Sequence, residues 1–130
     1  MKNVWMMLAV AGGGAAGALA RWGLSAAAHR WFGLGFPWGT LAANAVGCLA
    51  AGVLFVLIVE QQSHPLLRLA LMVGFLGALT TFSTFGLETV NLLTERRYAP
   101  AAANVLVSVM LGLVAVAVGM WIARRFAAAG

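Results

Sequence analysis

The stretch LLRLALMVGFLGALTTFSTFGLETVNLL, Leu66 to Leu93, decides the fold. Its first half is a nearly continuous apolar run, and its only charged residues are Arg68 and Glu88. About 20 predominantly apolar residues are enough to cross a bilayer as a helix, and this stretch exceeds that length. The same test finds three more runs: Val4 to Ala28, Pro37 to Val59 and Ala99 to Ala123. Together the four use most of the 130 residues and leave no room for a soluble catalytic domain. The chain is 63% hydrophobic and 8% charged, with the apolar residues in long runs rather than in an alternating or amphipathic pattern. The expectation is a single all-α integral membrane domain over residues 1–130 with four transmembrane helices.

The third span is unusual at its middle, Gly77-Ala78-Leu79-Thr80-Thr81-Phe82-Ser83-Thr84-Phe85-Gly86, with Thr80 near the centre. β-Branched threonines and flanking glycines weaken a helix there. One reading is a broken third helix at the bilayer midplane, where freed backbone groups must face a cavity, an ion or other protein. The carbonyl end of such a half-helix suits a cation. The other reading is an intact helix whose hydroxyls bond back to their own backbone.

The connections are short, so neighbouring helices run antiparallel. Arg21 to Phe36 is read as the first, with Trp22, Trp31, Phe32 and Trp38 marking membrane boundaries. Glu60 to Pro65 and Thr94 to Tyr98 are the second and third, and Pro37 and Pro100 suit first helical turns. Four spans bring both termini and the second connection to one face, with Lys2, Arg68, Arg124 and Arg125. The opposite face has Arg21, Arg30, Arg96 and Arg97. The net charge of +5 therefore sits at helix ends, without interleaved aromatics, which favours headgroups over nucleic acid as the partner. An asymmetry of Lys and Arg sets orientation, and none exists here. The expectation is insertion in both orientations, with opposite copies paired as an antiparallel homodimer. A lone bundle this small can hardly enclose a polar path and shield it from lipid; pairing supplies the missing wall.

Several motifs have plainer readings. Gly12-Gly13-Gly14-Ala15-Ala16-Gly17 matches G-x-G-x-x-G, but no strand precedes it and no βαβ unit follows. Gly13 and Gly17 form GxxxG, which points to close helix packing. Lys2, an apolar stretch and Ala18-Leu19-Ala20 resemble a secretory signal. Its length, its glycines and the three following spans argue for a retained first helix. Cys48 is read as a packing residue, and His29 and His64 as solvated loop residues. No Ser/His, Cys/His or metal-ligand cluster supports an enzyme.

Two polar stripes remain. Thr40, Asn44 and Cys48 recur at i, i+4, i+8 on the second span, and Asn104, Ser108 and Gly112 on the fourth. Polar faces in lipid either glue helices together or line a path, and glue is the commoner case. A path here has no central Lys or Arg. It offers the Asn44 amide, the hydroxyls of Ser83, Thr84 and Ser108, and the rings of Phe82 and Phe85 on one helical face. Aromatic edges carry positive partial charge. Such neutral donors hold a small anion weakly enough to let it leave. Arg21 either snorkels to the interface or marks an anion-attracting vestibule. Glu88, an acidic residue in a span, is a functional candidate by default.

These residues resemble the Fluc (CrcB) fluoride-channel family over essentially the whole chain. The resemblance rests on Gly17-Ala18 with Arg21, on Gly39-Thr40-Leu41 with Asn44 and Gly47, and on Gly74-Phe75 through Thr80-Thr81-Phe82-Ser83-Thr84-Phe85. It implies a dual-topology homodimer in the bacterial cytoplasmic membrane with two fluoride pores. It implies that Phe82 and Phe85 meet fluoride with their ring edges, that Asn44 donates hydrogen bonds, and that Ser83 and Thr84 form a polar track. A structural sodium ion at the dimer centre, held by backbone carbonyls of Gly77 and Thr80, is also implied. Arg21 matches a vestibule arginine and Glu88 a recurrent acidic position. Asn104 departs from the family pattern, which often has tyrosine there, and Gly112 and Val116 lie where further hydroxyls are expected. The implied role is passive efflux: fluoride enters as HF, dissociates in the more alkaline cytosol, and leaves through the channel. The main rival is a small multidrug-type proton-coupled exporter, which needs an embedded carboxylate that span 1 lacks. A packing subunit without flux is the second rival.

Overall fold

The computed structural model describes residues 1–128, the side chain of Lys2 apart. Lys2, counted among the basic residues above, thus has its side chain outside the described residues. Helix α1, Lys2–Phe32, runs without interruption because no proline or left-handed residue occurs before Gly33. Gly33 ends it at φ 76°, a conformation that favours glycine, and donates its N–H to the His29 carbonyl at 2.9 Å. The first connection is therefore shorter than expected. Arg21 and His29 are helical, and His29 is half-buried rather than solvated.

Helix α2, Trp38–Leu54, starts after Pro37 and continues as a wide-turned π-helical run, Phe55–Glu60. Trp38 packs against Phe32 and Phe36, with ring centroids 5.3 and 4.7 Å away. Such a cluster suits the membrane boundary. In the next turn Ser63 N–H and Oγ donate to the carbonyls of Ile58 and Leu57. His64 Nδ1 accepts from the Leu66 N–H at 3.2 Å, capping the short helix α3, Pro65–Arg68, which has proline at its first position. A second π-helical run, Leu69–Leu76, leads into α4, Gly77–Leu79. Thr80 (φ −84°, ψ 155°) and Thr81 (φ −151°, ψ 114°) are extended, and α5, Phe82–Thr94, follows. Arg97 then reaches back to the Gly35 carbonyl before α6, Tyr98–Ala127.

Four segments among the described residues are long and apolar enough to cross a membrane: Asn3–Phe32, Trp38–Glu60, Pro65–Thr94 and Tyr98–Ala127. Their packing is interleaved. α1 lies against the π-helical run Leu69–Leu76, and α2 against α6. Small residues make both contacts close. A Cβ on Gly13 or Gly17 would collide with the carbonyls of Ala70 and Phe75, and one on Gly52 or Gly119 with those of Val116 and Leu49. The buried core is thin, with Leu41, Ala43, Val56, Ile58, Leu76 and Leu79 among its members. Trp5, Leu19, Leu106, Leu113 and Trp121 all point outward. An apolar exterior around a thin core is what lipid, rather than water, tolerates. The chain is a multi-pass membrane protein.

Candidate functional site

The extended pair Thr80–Thr81 interrupts the i to i−4 ladder, and the freed groups have identifiable destinations. Thr81 N–H, whose helical acceptor would be the Gly77 carbonyl, instead donates to Asn44 Oδ1 at 2.8 Å. Asn44 Nδ2 donates in return to the Thr81 carbonyl at 3.2 Å. One side-chain amide thus pairs with both backbone groups of a residue 37 positions away. Thr84 N–H, whose helical acceptor would be the Thr80 carbonyl, bonds the Thr81 hydroxyl at 3.3 Å, and Thr81 caps α5. The Gly77 and Thr80 carbonyls therefore both lose their helical donors. Thr80 Oγ1 bonds back to the Leu76 carbonyl at 2.9 Å. Gly47 permits all this, since a Cβ there would collide with Thr80 Cγ2.

Beside the interruption lies a cleft of about 230 Å³, whose lining includes Asn44, Cys48, Thr81, Phe82, Phe85 and Ser108. It unites the candidate residues of three spans. The rings of Phe82 and Phe85 stand 5.5 Å apart, tilted by 42°. Phe82 is 83% exposed, while Phe85 is half-buried. Thr81 Oγ1 donates to Thr84 Oγ1 at 3.0 Å and lies 3.4 Å from Ser83 Oγ. Since Thr81 has a single hydroxyl hydrogen, Ser83 is the donor in the second pair.

Other expected residues lie elsewhere. Thr40 is buried one turn from Asn44, outside the cleft lining. Asn104 is 0% exposed. It donates to Thr89 Oγ1 at 2.9 Å and faces Ser108 Oγ at 3.5 Å, tying α5 to α6. Thr89 itself donates to the Phe85 carbonyl at 2.7 Å, so Asn104 is linked to the cleft lining directly at Ser108 and through Thr89 at Phe85. Arg21 is half-buried within α1, away from the cleft lining. Glu88 lines a separate pocket at the end of the bundle where the first and third connections meet. Sequence patterning had no means of finding the Asn44–Thr81 pairing, because the partners are on different spans. The i, i+4 recurrence of Thr40, Asn44 and Cys48 was its only trace.

Comparison with known proteins bears on this arrangement. A family profile described as "CrcB-like protein, Camphor Resistance (CrcB)" matches residues 8–120. A protein of Salinibacter ruber named "Fluoride-specific ion channel FluC" is 50% identical over 119 residues, covering 92% of this chain and 86% of that protein. One of the same name from Magnetococcus marinus is 46% identical over 125 residues, covering 95% and 98%. Another, from Hydrogenovibrio crunogenus, is 42% identical over 125 residues, covering 95% of each. With this extent of match on a chain of four apolar spans, the protein belongs to the CrcB family.

Proposed function

We propose that this protein is a fluoride-selective channel that lets fluoride leave the cell passively and so limits its toxicity. The observation that carries the reading is the cleft in which Phe82 and Phe85 stand beside an interrupted third helix, in a chain whose relatives bear the name of fluoride channels. Fluoride is small and strongly hydrated, so a path must replace its water with donors. The cleft offers ring edges from Phe82 and Phe85, the second amide hydrogen of Asn44 and the hydroxyl of Ser108, while the Ser83 and Thr84 hydroxyls lie outside its lining, against the Thr81 hydroxyl. None carries a full charge, so each holds the anion weakly enough for onward transfer. Nothing favours proton-coupled export, since α1 has no acidic residue. The family is one of ion channels, and the chain is not an enzyme.

The working unit in this reading is an antiparallel homodimer of oppositely inserted copies in the bacterial cytoplasmic membrane. Phe82, Ser83 and Gly77 are exposed on the single chain at the middle of its third span. In lipid a polar backbone there needs protein cover, and a second copy provides it. The equal count of basic residues at the two faces supports insertion both ways. The residues also fit a structural sodium ion. The Gly77 and Thr80 carbonyls have lost their helical donors, and a Cβ on Gly77 would meet nothing within 4 Å. These carbonyls would hold the ion, which would supply positive charge to join the two half-helix ends.

The test is fluoride efflux from liposomes holding the purified protein, followed with a fluoride electrode and with chloride as control. Rapid fluoride release without chloride release is expected. No release from folded, reconstituted dimer would defeat the channel reading and leave the exporter and the packing subunit.

A further inference from the structure

Thr89 belongs to neither polar stripe of the sequence, yet its hydroxyl joins two spans. It donates to the Phe85 carbonyl at 2.7 Å and accepts from Asn104 Nδ2 at 2.9 Å. A threonine hydroxyl has one hydrogen. With that hydrogen on Phe85, Thr89 can only accept from Asn104, which fixes the amide with Nδ2 toward α5 and Oδ1 toward Ser108. Ser108 Oγ donates to Asn104 Oδ1 at 3.5 Å, a long bond for a hydroxyl. A hydrogen held that weakly is free to turn toward an anion in the cleft.

Phe85 and Ser108 both line the central cleft, one from α5 and the other from α6. The Asn104 amide, 0% exposed and outside the lining, therefore connects the two walls. Little else fixes their spacing. Among the described residues, the helices that α5 touches are α6 and, sparingly, α2, whereas α2 and α6 pack along much of their length. Thr81, Phe85 and Thr89 follow one another at intervals of four. Asn44 on α2 holds the start of α5 at Thr81, and Asn104 on α6 holds the next turns at Thr89. Phe85 stands between these two anchors. Hydrogen bonds in series polarise one another, so the chain from Asn104 through Thr89 to the Phe85 carbonyl is stronger than its bonds taken singly.

We propose that Asn104 and Thr89 are positioning residues for the path: without meeting the anion, they hold the Phe85 ring at a set distance from Ser108 across the cleft. This rests on the channel reading above.

The experiment is fluoride efflux from liposomes with Thr89→Val, which keeps the shape of the side chain and removes its hydroxyl. Beside it runs Thr89→Ser, which keeps the hydroxyl and removes the methyl. Thr89→Val is expected to lower flux about three- to tenfold, the scale of one hydrogen bond of ordinary strength, and Thr89→Ser to stay within about twofold of wild type. A role in packing alone predicts the reverse order. Asn104→Leu is expected to lower flux as well, and adding Thr89→Val to it to cost nothing further, since both break one link. The double variant leaves no buried amide unpaired, and so serves if either single variant fails to fold. Wild-type flux in Thr89→Val, in Asn104→Leu or in the double variant would overturn this proposal alone. So would an equal loss in Thr89→Ser, or losses that multiply in the double variant. Absence of fluoride flux in the wild type would overturn the channel reading and this proposal with it. Independently of flux, ring NMR of ¹³C-labelled phenylalanine, assigned with Phe82→Ile and Phe85→Ile, reads the surroundings of the Phe85 ring. Its signal is expected to move in Thr89→Val and to stay in Thr89→Ser; a signal unmoved in Thr89→Val overturns the proposal even if flux varies.

Discussion

Asn44 spends its carbonyl oxygen and one amide hydrogen on Thr81, and one amide hydrogen remains. Its substitution thus reaches stability and transport together. Asn44→Ala leaves the Thr81 N–H without its acceptor, and is expected to lower unfolding free energy by about 1–3 kcal/mol and to abolish efflux. Thermal unfolding in detergent, run beside the liposome assay, checks both. The phenylalanines behave differently, because neither anchors the backbone. Phe82→Ile or Phe85→Ile is expected to keep the elution position of the unsubstituted protein on size-exclusion chromatography and to lose most fluoride flux. Wild-type flux in either variant would remove the ring-edge argument. The type and spacing of these residues were legible in the sequence. The commitment of Asn44 to Thr81 was not, since it depends on which spans pack together. His29 was misread for a related reason: only the unbroken run of α1 to Phe32 brings it against α2.

At the level of the element, the threonines and glycines around Thr80 marked the third span as weak, while leaving an intact helix equally open. Two redirected N–H bonds, from Thr81 to Asn44 and from Thr84 to the Thr81 hydroxyl, account for the extended pair. They also leave the Gly77 and Thr80 carbonyls without helical donors. If those groups hold a cation, replacing sodium by a large organic cation is expected to weaken dimer association or lower flux severalfold. Single-molecule photobleaching of labelled protein counts the subunits, and indifference to sodium would count against the ion. The GxxxG of α1 was readable as a packing motif from the sequence, but its partner, the π-helical run Leu69–Leu76, was not. Backbone-to-backbone contacts leave no signature in side-chain periodicity.

At the scale of the whole molecule, among the described residues an arginine near each end of the bundle is held in an ion pair: Arg124 with Glu60 at 2.6 Å at one end, Arg97 with Glu95 at 3.6 Å at the other. These pairs take one arginine from each end and so leave the two counts equal. Upsetting that balance is expected to fix the orientation. Arg124→Gln with Arg125→Gln halves the basic residues of one face, and should turn most copies so that the first and third connections lie inside. Accessibility labelling of cysteines placed in the connections reads the orientation. Flux should fall in this variant and return on co-expression with Arg96→Gln and Arg97→Gln, whose bias is opposite. An unchanged mixture of orientations in the first variant would show that arginine count does not govern insertion here.

The interleaved packing has a consequence for biosynthesis. α1 lies chiefly against the third span and α2 against the fourth, so the order of translation differs from the order of assembly. A nascent chain that has reached the Gln61–His64 turn presents two helices to the insertion machinery before the main partner of either exists. Release into the bilayer as a finished bundle waits for α6. A chain truncated before Tyr98 leaves α2 without the helix it packs against, and is expected to be degraded faster than the full chain in a pulse-chase measurement.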